Sequence, residues 1–207
     1  MTIHPIVEGQ GETSAVPLLL RRLCEAAQAW ELQIGNPIRQ RRSQLVKKDM
    51  LQRAVRLAAV REDCTGILIL FDADDDCPTE LAPTLEVWAR EVAGGKPCAV
   101  VMANREYEAW FLASVESLGE RCGLLPDAAS HPRPEEPRDA KGELERRMPA
   151  GASYSPSVDQ VTLTAHLDLE RAYRGCRSFR KFVSAFGALA TAAGAMPAAW
   201  LPAAWTA

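Results

Sequence analysis

The chain has 207 residues, 47% of them hydrophobic and 25% charged, which suits one folded domain with at most a small appendage and excludes a disordered chain. A formal charge of −3 and a pI near 5.7 give no global attraction to nucleic acid. A phosphate partner would therefore need local basic patches or metal ions held on carboxylates.

In chain order, the start MTIHPIVEGQGE reaches acidic residues before any apolar run, so no signal peptide is expected there. Residues 3–7 are short, apolar and β-branched and stop at Gly9 and Gly11, which predicts a first strand. Thr13 or Ser14 is expected to cap a helix whose buried stripe is Val16, Leu19, Leu20, Leu23, Ala27 and Trp30. Residues 32–38 predict a second strand, weakened by Asn36-Pro37, and residues 43–61 a helix with Leu51, Ala54, Val55 and Ala58 inward.

The clearest strand is 66–71, GILILF, apolar throughout and so expected to be buried on both faces. Pro78 opens a helix with Leu81, Leu85, Trp88 and Val92 on one stripe. Residues 99–102 supply a fourth strand, and Tyr107, Trp110, Phe111, Ser114 and Leu118 mark the helix after it. Strand and helix alternating at this spacing predict an α/β fold with a mostly parallel, Rossmann-like sheet and helices on both faces.

Prolines 126, 132, 134 and 137 exclude regular structure over 123–138 and suggest a mobile loop or linker. Short helices are expected at 140–147, 158–173 and 178–186, followed by an Ala-rich tail over 187–207 anchored only by Trp200 and Trp205. The expected organisation is an α/β core over 1–122, the Pro-rich loop, a helical C-terminal extension over 139–186, and the tail. With prolines at 197 and 202, the tail is not expected to span a membrane. Six cysteines without a CxxC pair read as reduced thiols of a cytoplasmic protein.

Chemistry in such sheets gathers at the carboxyl ends of strands. There, VEGQGET places Glu8 after the first strand and Glu12 at the mouth of its helix, and FDADDDCP places Asp72, Asp74, Asp75 and Asp76 after the strongest strand. Alternate residues of an extended chain point the same way, so Asp72 and Asp74 are expected to share a ligand. Carboxylates this close repel, and a hard divalent cation is the usual remedy. Asp76, before Pro78, also suits a helix cap. GQGETS has neither the third glycine of a dinucleotide fingerprint nor the lysine of a P-loop, and Cys77 and Pro83 stand where an EF-hand needs Gly and Glu.

The combination of IVEGQGE, LFDADDD and NREYEAWFLA resembles the Toprim fold of topoisomerases, primases and OLD-type nucleases. More narrowly it resembles an uncharacterised Toprim-related bacterial family found in mobile or phage-defence gene neighbourhoods. The resemblance implies Glu8 as general acid/base or metal ligand, Asp72 and Asp74 as ligands of Mg²⁺ or Mn²⁺, and Glu12 helping to hold another ion. Asp76 is a further candidate ligand. Glu106 and Glu108 are others, but at helical spacing they would sit on nearly opposite faces, so only one is expected to reach the site.

The implied activity is that of a metal-dependent nuclease or phosphoryl-transfer protein acting on DNA or RNA, with an ATPase partner. Two alternatives stay open: a degenerate Toprim domain serving as an assembly subunit, and a haloacid-dehalogenase-type phosphatase, whose D-x-D-x-T/V motif DADDD partly matches. Arg39, Arg41, Arg42, Lys47 and Lys48, without an acid between them, are the candidate nucleic-acid contacts. Arg171, Arg174, Arg177 and Lys181 recur at helical spacing as a second basic set. Lys141 reads as a surface lysine, although it could meet a phosphate. His4 reads as a satisfied core histidine.

Overall fold

Strand β1 (Thr2–Val7) is buried along its whole length, as a β-branched strand inside a sheet covered on both faces should be. The computed structural model describes residues 1–195 and 200–206. After β1 come α1 (Glu12–Ala27), the two-residue strands β2 (Gln33–Ile34) and β3 (Ile38–Arg39), and helices α2 (Arg42–Leu45) and α3 (Lys48–Ala59). Then follow β4 (Cys64–Asp72), α4 (Pro78–Arg90), β5 (Cys98–Ala103), the short α5 (Ala109–Leu112) and α6 (Val115–Leu118), and a 3-10 turn at Gly119–Cys122. The rest is helical: α7 (Ala140–Glu145), α8 (Pro156–His166), α9 (Leu169–Gly175), α10 (Arg177–Ala192) and α11 (Ala203–Thr206).

The fold is α/β, and every strand pairing is parallel. The sheet runs β2-β1-β4-β5, with β3 continuing the β2 side along the end of β1. The expected second strand is thus one strand broken by Gly35–Pro37: Ile3 faces Ile34, and Val7 faces Arg39. Helices cover both faces. One core joins Ile3 and Val7 to Leu19 and Leu23 of α1, Leu163 of α8 and Phe182 of α10. The other joins Ile6, Ile67 and Ile69 to Val55 of α3 and Leu85 of α4.

Several local expectations change. Gly11, not Thr13 or Ser14, is the N-cap residue of α1, and Thr13 Oγ1 instead donates to Gln10 O at 2.6 Å. Trp30 lies beyond the helix and is 68% exposed, because the left-handed Gln28 ends α1 before the stripe reaches it. The helix expected over 43–61 is broken at Val46–Lys47, and the one expected over 158–173 at Leu167–Asp168.

The C-terminal helices complete the core instead of hanging from it. Trp110 packs against Phe179 and Phe182 at ring distances of 5.1 and 5.3 Å, and its Nε1 donates to Ser178 Oγ at 2.8 Å. Arg22 Nη1 of α1 donates to the carbonyls of Thr164 and Leu167, both at 2.7 Å, tying α1 to the end of α8. The Pro-rich loop is irregular, yet pinned: His131 N donates to Leu112 O, and Glu135 accepts from the backbone N–H groups of Arg177 and Ser178 at the start of α10.

Helix α10 continues to Ala192, past the expected start of the tail. Trp200 then folds back on Phe186, and Trp205 on Tyr173, each at 5.6 Å. Pro197 lies outside the described residues. Among the described residues no helix is long and apolar enough to cross a membrane. All six cysteines are free, and only Cys77 is exposed. His4 is buried: Arg61 Nη1 donates to its Nδ1 at 2.7 Å, leaving Nε2–H to donate to Asp63 Oδ1 at 3.0 Å.

Candidate functional site

The register of the sheet brings the first two acidic motifs together. β1 and β4 are hydrogen-bonded neighbours with Val7 opposite Leu70, so Glu8, just after β1, and Asp72, the last residue of β4, emerge at adjacent strand ends. β5 lies on the other side of β4 with Ala103 opposite Asp72, and the bend after it delivers Glu106 and Glu108.

Each carboxylate has its own anchoring. Glu12 folds back over the β1–α1 turn, where its Oε2 accepts from the backbone N–H of Glu8 at 2.9 Å and of Gly9 at 3.3 Å. Burial drives its carboxyl up to about 7 against those two hydrogen bonds, with help from the Glu8 and Glu108 charges. Asp72 Oδ1 accepts from the backbone N–H of Tyr107 at 2.8 Å. Its carboxyl is held well above the usual range by desolvation, then by the charges of Glu108 and Glu12. Glu8 is also raised, first by burial and then by Asp74, while the backbone of Asp72 and Arg42 and the Arg42 guanidinium act the other way.

Glu108 is fully buried and its carboxyl is raised, chiefly by desolvation. Its Oε1 accepts from Tyr154 OH at 2.8 Å and from Gln160 Nε2 at 3.3 Å. Glu106 and Glu108 both reach the cluster, contrary to the helical-spacing argument. They sit in the turn before α5, which begins at Ala109, so helical geometry does not separate them.

Their common partner is Lys141. Its Nζ lies 2.8 Å from Glu106 Oε1, and 3.6 Å from both Asp72 Oδ2 and Glu108 Oε2. The expected surface lysine is the cation at the middle of three carboxylates. Burial alone would lower its ammonium pKa, but these neighbours raise it well above the usual range. Tyr154 and Gln160 are the other members that the sequence did not disclose.

Asp74 and Asp72 part company. The chain leaves β4 after Asp72, and Asp74 adopts a left-handed φ of 50°, so the alternation of an extended strand no longer applies. Asp74 is exposed beside Arg42 Nε at 3.3 Å, Asp76 pairs with Arg42 Nη2, and Asp75 pairs with Arg105 at 2.7 Å. No side-chain cap bond from Asp76 is formed, and Cys77 is the N-cap residue of α4.

The first basic run divides in the same way. Arg42 also donates to the carbonyls of Asp72 and Ala73, both at 3.2 Å, so it braces the strand end and is not free to hold a polyanion. Lys48 is paired with Glu91 at 2.8 Å. Arg39 is exposed and donates to Glu8 O and Gln10 Oε1, both at 3.3 Å, and like the exposed Arg41 and Lys47 it has no ion pair among the described residues. In the second set, Arg171 pairs with Glu116 and Arg174 with Glu170, whereas Arg177 and Lys181 line a cleft of about 930 Å³ between α4 and α10. Asp75, Asp76, Glu86 and Glu135 also line that cleft.

Residues 7–186 match a family described as Domain of unknown function (DUF4276). The chain belongs to that family. No curated protein and no solved structure matches it. The matched span of this DUF4276 chain contains every carboxylate of the cluster together with Lys141, Tyr154 and Gln160.

Among the described residues, no three His, Cys, Asp or Glu side chains are gathered in an arrangement that could hold a metal ion. Where three carboxylates do converge, Lys141 stands between them. The donor chemistry nonetheless suits a hard cation. All donors are carboxylate oxygens, Glu8 Oε2 and Glu108 Oε2 are buried with no hydrogen-bond partner, and Mg²⁺ needs only one or two carboxylates because it keeps several waters.

Proposed function

We propose that this chain is a metal-dependent phosphoryl-transfer protein of the Toprim kind, acting on the phosphodiester backbone of nucleic acid. The observation that carries this reading is the placement of Glu8 and Asp72 at adjacent parallel strand ends, with Glu8 Oε2 buried and unpartnered. Five carboxylates are concentrated in a partly dry corner, and a ligand that neutralises them would offset their mutual repulsion.

Glu8 and Asp72 are the residues that would hold Mg²⁺ or Mn²⁺. Once bound, such an ion polarises a phosphoryl oxygen and acidifies a water. The chain's own groups supply the rest. Burial makes the Glu8 carboxylate a stronger base than a surface glutamate, which suits it to take a proton from an attacking water. The Tyr107 N–H fixes the orientation of Asp72. Arg177 and Lys181, which line the cleft between α4 and α10, would hold a polyanion by charge, without reading its bases.

A second reading, a binding or assembly subunit that has lost catalysis, is favoured by one observation: Lys141 already neutralises part of the cluster. One set of proteins separates the two. Wild type, Glu8→Gln and Asp72→Asn are titrated with Mg²⁺ or Mn²⁺ and followed by thermal unfolding. They are then assayed on labelled DNA and RNA, together with any ATPase encoded beside this chain. The catalytic reading expects a metal-dependent rise in the wild-type Tm, its loss in Asp72→Asn, and loss of cleavage in folded Glu8→Gln. Full cleavage by Glu8→Gln would sink it, and no metal response in wild type would leave the assembly reading standing.

A further inference from the structure

We infer that Lys141 takes the place of one metal ion in the carboxylate cluster, so that the site accepts a single divalent cation, on the Glu8 side. This rests on the metal-dependent reading above and adds the number of ions and the residue that sets it.

The position of Lys141 is built, not incidental. Its backbone N–H donates to Glu106 Oε2 at 3.0 Å while its Nζ donates to Oε1 of the same carboxylate at 2.8 Å, so one glutamate grips both ends of the residue. Helix α7 is fixed on either side of it. Asp139 Oδ1 accepts from Gly142 N at 2.9 Å as the N-cap, and Ala140 and Leu144 are fully buried in the core shared with α1 and α10. These contacts fix the backbone of Lys141, and its ammonium, on a side chain 37% exposed, is held by the carboxylates it meets.

What it faces is three carboxylate oxygens, the donor type a hard cation prefers: Asp72 Oδ2, Glu106 Oε1 and Glu108 Oε2. Glu108 Oε2 belongs to a fully buried side chain and has no hydrogen-bond partner, so it is a buried carboxyl oxygen 3.6 Å from the ammonium without a hydrogen bond to it. An ammonium and a divalent ion cannot share that space, because like charges at such separations repel strongly where water is scarce. The Glu8 side differs. Glu8 Oε2 is buried and unpartnered, and the Arg42 guanidinium, whose charge also acts on Glu8, is paired with Asp74 and Asp76. The lysine and one metal ion then bring three positive charges to the cluster, where two metal ions would bring four.

The test counts ions without asking for activity. Mn²⁺ is titrated into wild type, Lys141→Met, Lys141→Arg and Glu8→Gln, with free Mn²⁺ read by electron paramagnetic resonance and heat by calorimetry. Circular dichroism and melting without metal check each fold. Wild type and Lys141→Arg are expected to bind one ion. Lys141→Met should bind two, because Asp72, Glu106 and Glu108 are left facing one another, and Glu8→Gln should lose the wild-type ion.

Two ions in wild type would overturn the inference, as would one ion of unchanged affinity in Lys141→Met. One ion in Lys141→Met and none in wild type would overturn the assignment of an ion to Glu8. Binding by none of the four proteins is the failure of the metal reading itself. If Lys141→Met does not fold without metal, the wild-type count still decides, and Lys141→Gln repeats the neutral substitution with a polar side chain.

Discussion

Tyr154 donates its hydroxyl to Glu108 Oε1 at 2.8 Å, joining the stretch before α8 to the turn before α5 inside the protein. Tyr154→Phe keeps the ring and removes this bond, leaving that oxygen only Gln160 Nε2 at 3.3 Å. The expected cost is about 1–3 kcal/mol. In a chain of this length that lowers Tm by roughly 2–4 °C for each kcal/mol. An unchanged Tm would mean that the buried carboxylate does not depend on the tyrosine.

Stability should fall with rising pH near neutrality in the metal-free protein. The carboxyl of Glu12 is raised from 4.5 to about 7 by burial, so the folded state binds its proton more tightly than the unfolded chain does. The resulting stability is fully present below the unfolded value and is lost as pH rises through about 7, amounting to roughly 3 kcal/mol. Asp72 and Glu108 are shifted in the same direction, also chiefly by burial. Melting between about pH 5 and pH 8 should show a declining Tm. Glu12→Gln, which can still accept from the Glu8 and Gly9 N–H groups, should make the decline shallower. An identical slope in the variant would refute this assignment.

Gly11 allows α8 to approach the mouth of α1. A Cβ there would lie 2.1 Å from Pro156 O and 2.4 Å from Gln160 Oε1, and the first of these is backbone that cannot step aside. Gly11→Ala should cost about 1–3 kcal/mol or more. Gly66→Ala, whose Cβ would meet nothing closer than 3.5 Å, should stay within about 0.5 kcal/mol of wild type. Chemical denaturation of the pair checks this; equal losses would show that the close approach is not what matters.

The cleft between α4 and α10 predicts where a polyanion is held. Arg177→Ala combined with Lys181→Ala should weaken binding of labelled DNA or RNA. It should also reduce the log–log salt slope by about 2, since each neutralised phosphate contributes close to one unit. The metal response should not change. Arg41→Ala with Lys47→Ala is the competing pair at the other basic edge. If that pair carries the loss, the polynucleotide runs along α2 instead.

The parts of the site that could be read from the letters are those that one strand end delivers. VEGQGET follows a short buried strand and LFDADDD a long one, and parallel strands put their carboxyl ends on one edge, so Glu8 and Asp72 become neighbours once the sheet forms. Asp74, Glu106 and Glu108 were harder because their backbone is neither strand nor helix. Asp74 turns left-handed, and the two glutamates sit in a bend, so no periodicity fixes where their side chains go.

The alternation of apolar strands with amphipathic helices by itself determined the α/β class, the parallel sheet and the helices on both faces, because burial of both faces of GILILF requires cover on each. Charge partners were decided only by the tertiary structure. Lys141 lies 35 residues beyond Glu106, past a proline-rich loop with no period, and it becomes a cluster member only because Ala140 and Leu144 anchor α7 in the core. Arg42 stands next to Arg41 in the sequence, yet it turns inward to the carbonyls of Asp72 and Ala73 while Arg41 stays exposed. Hydrophobic period sets which face of an element is buried. It carries no term for which distant opposite charge a polar side chain will meet when that face closes.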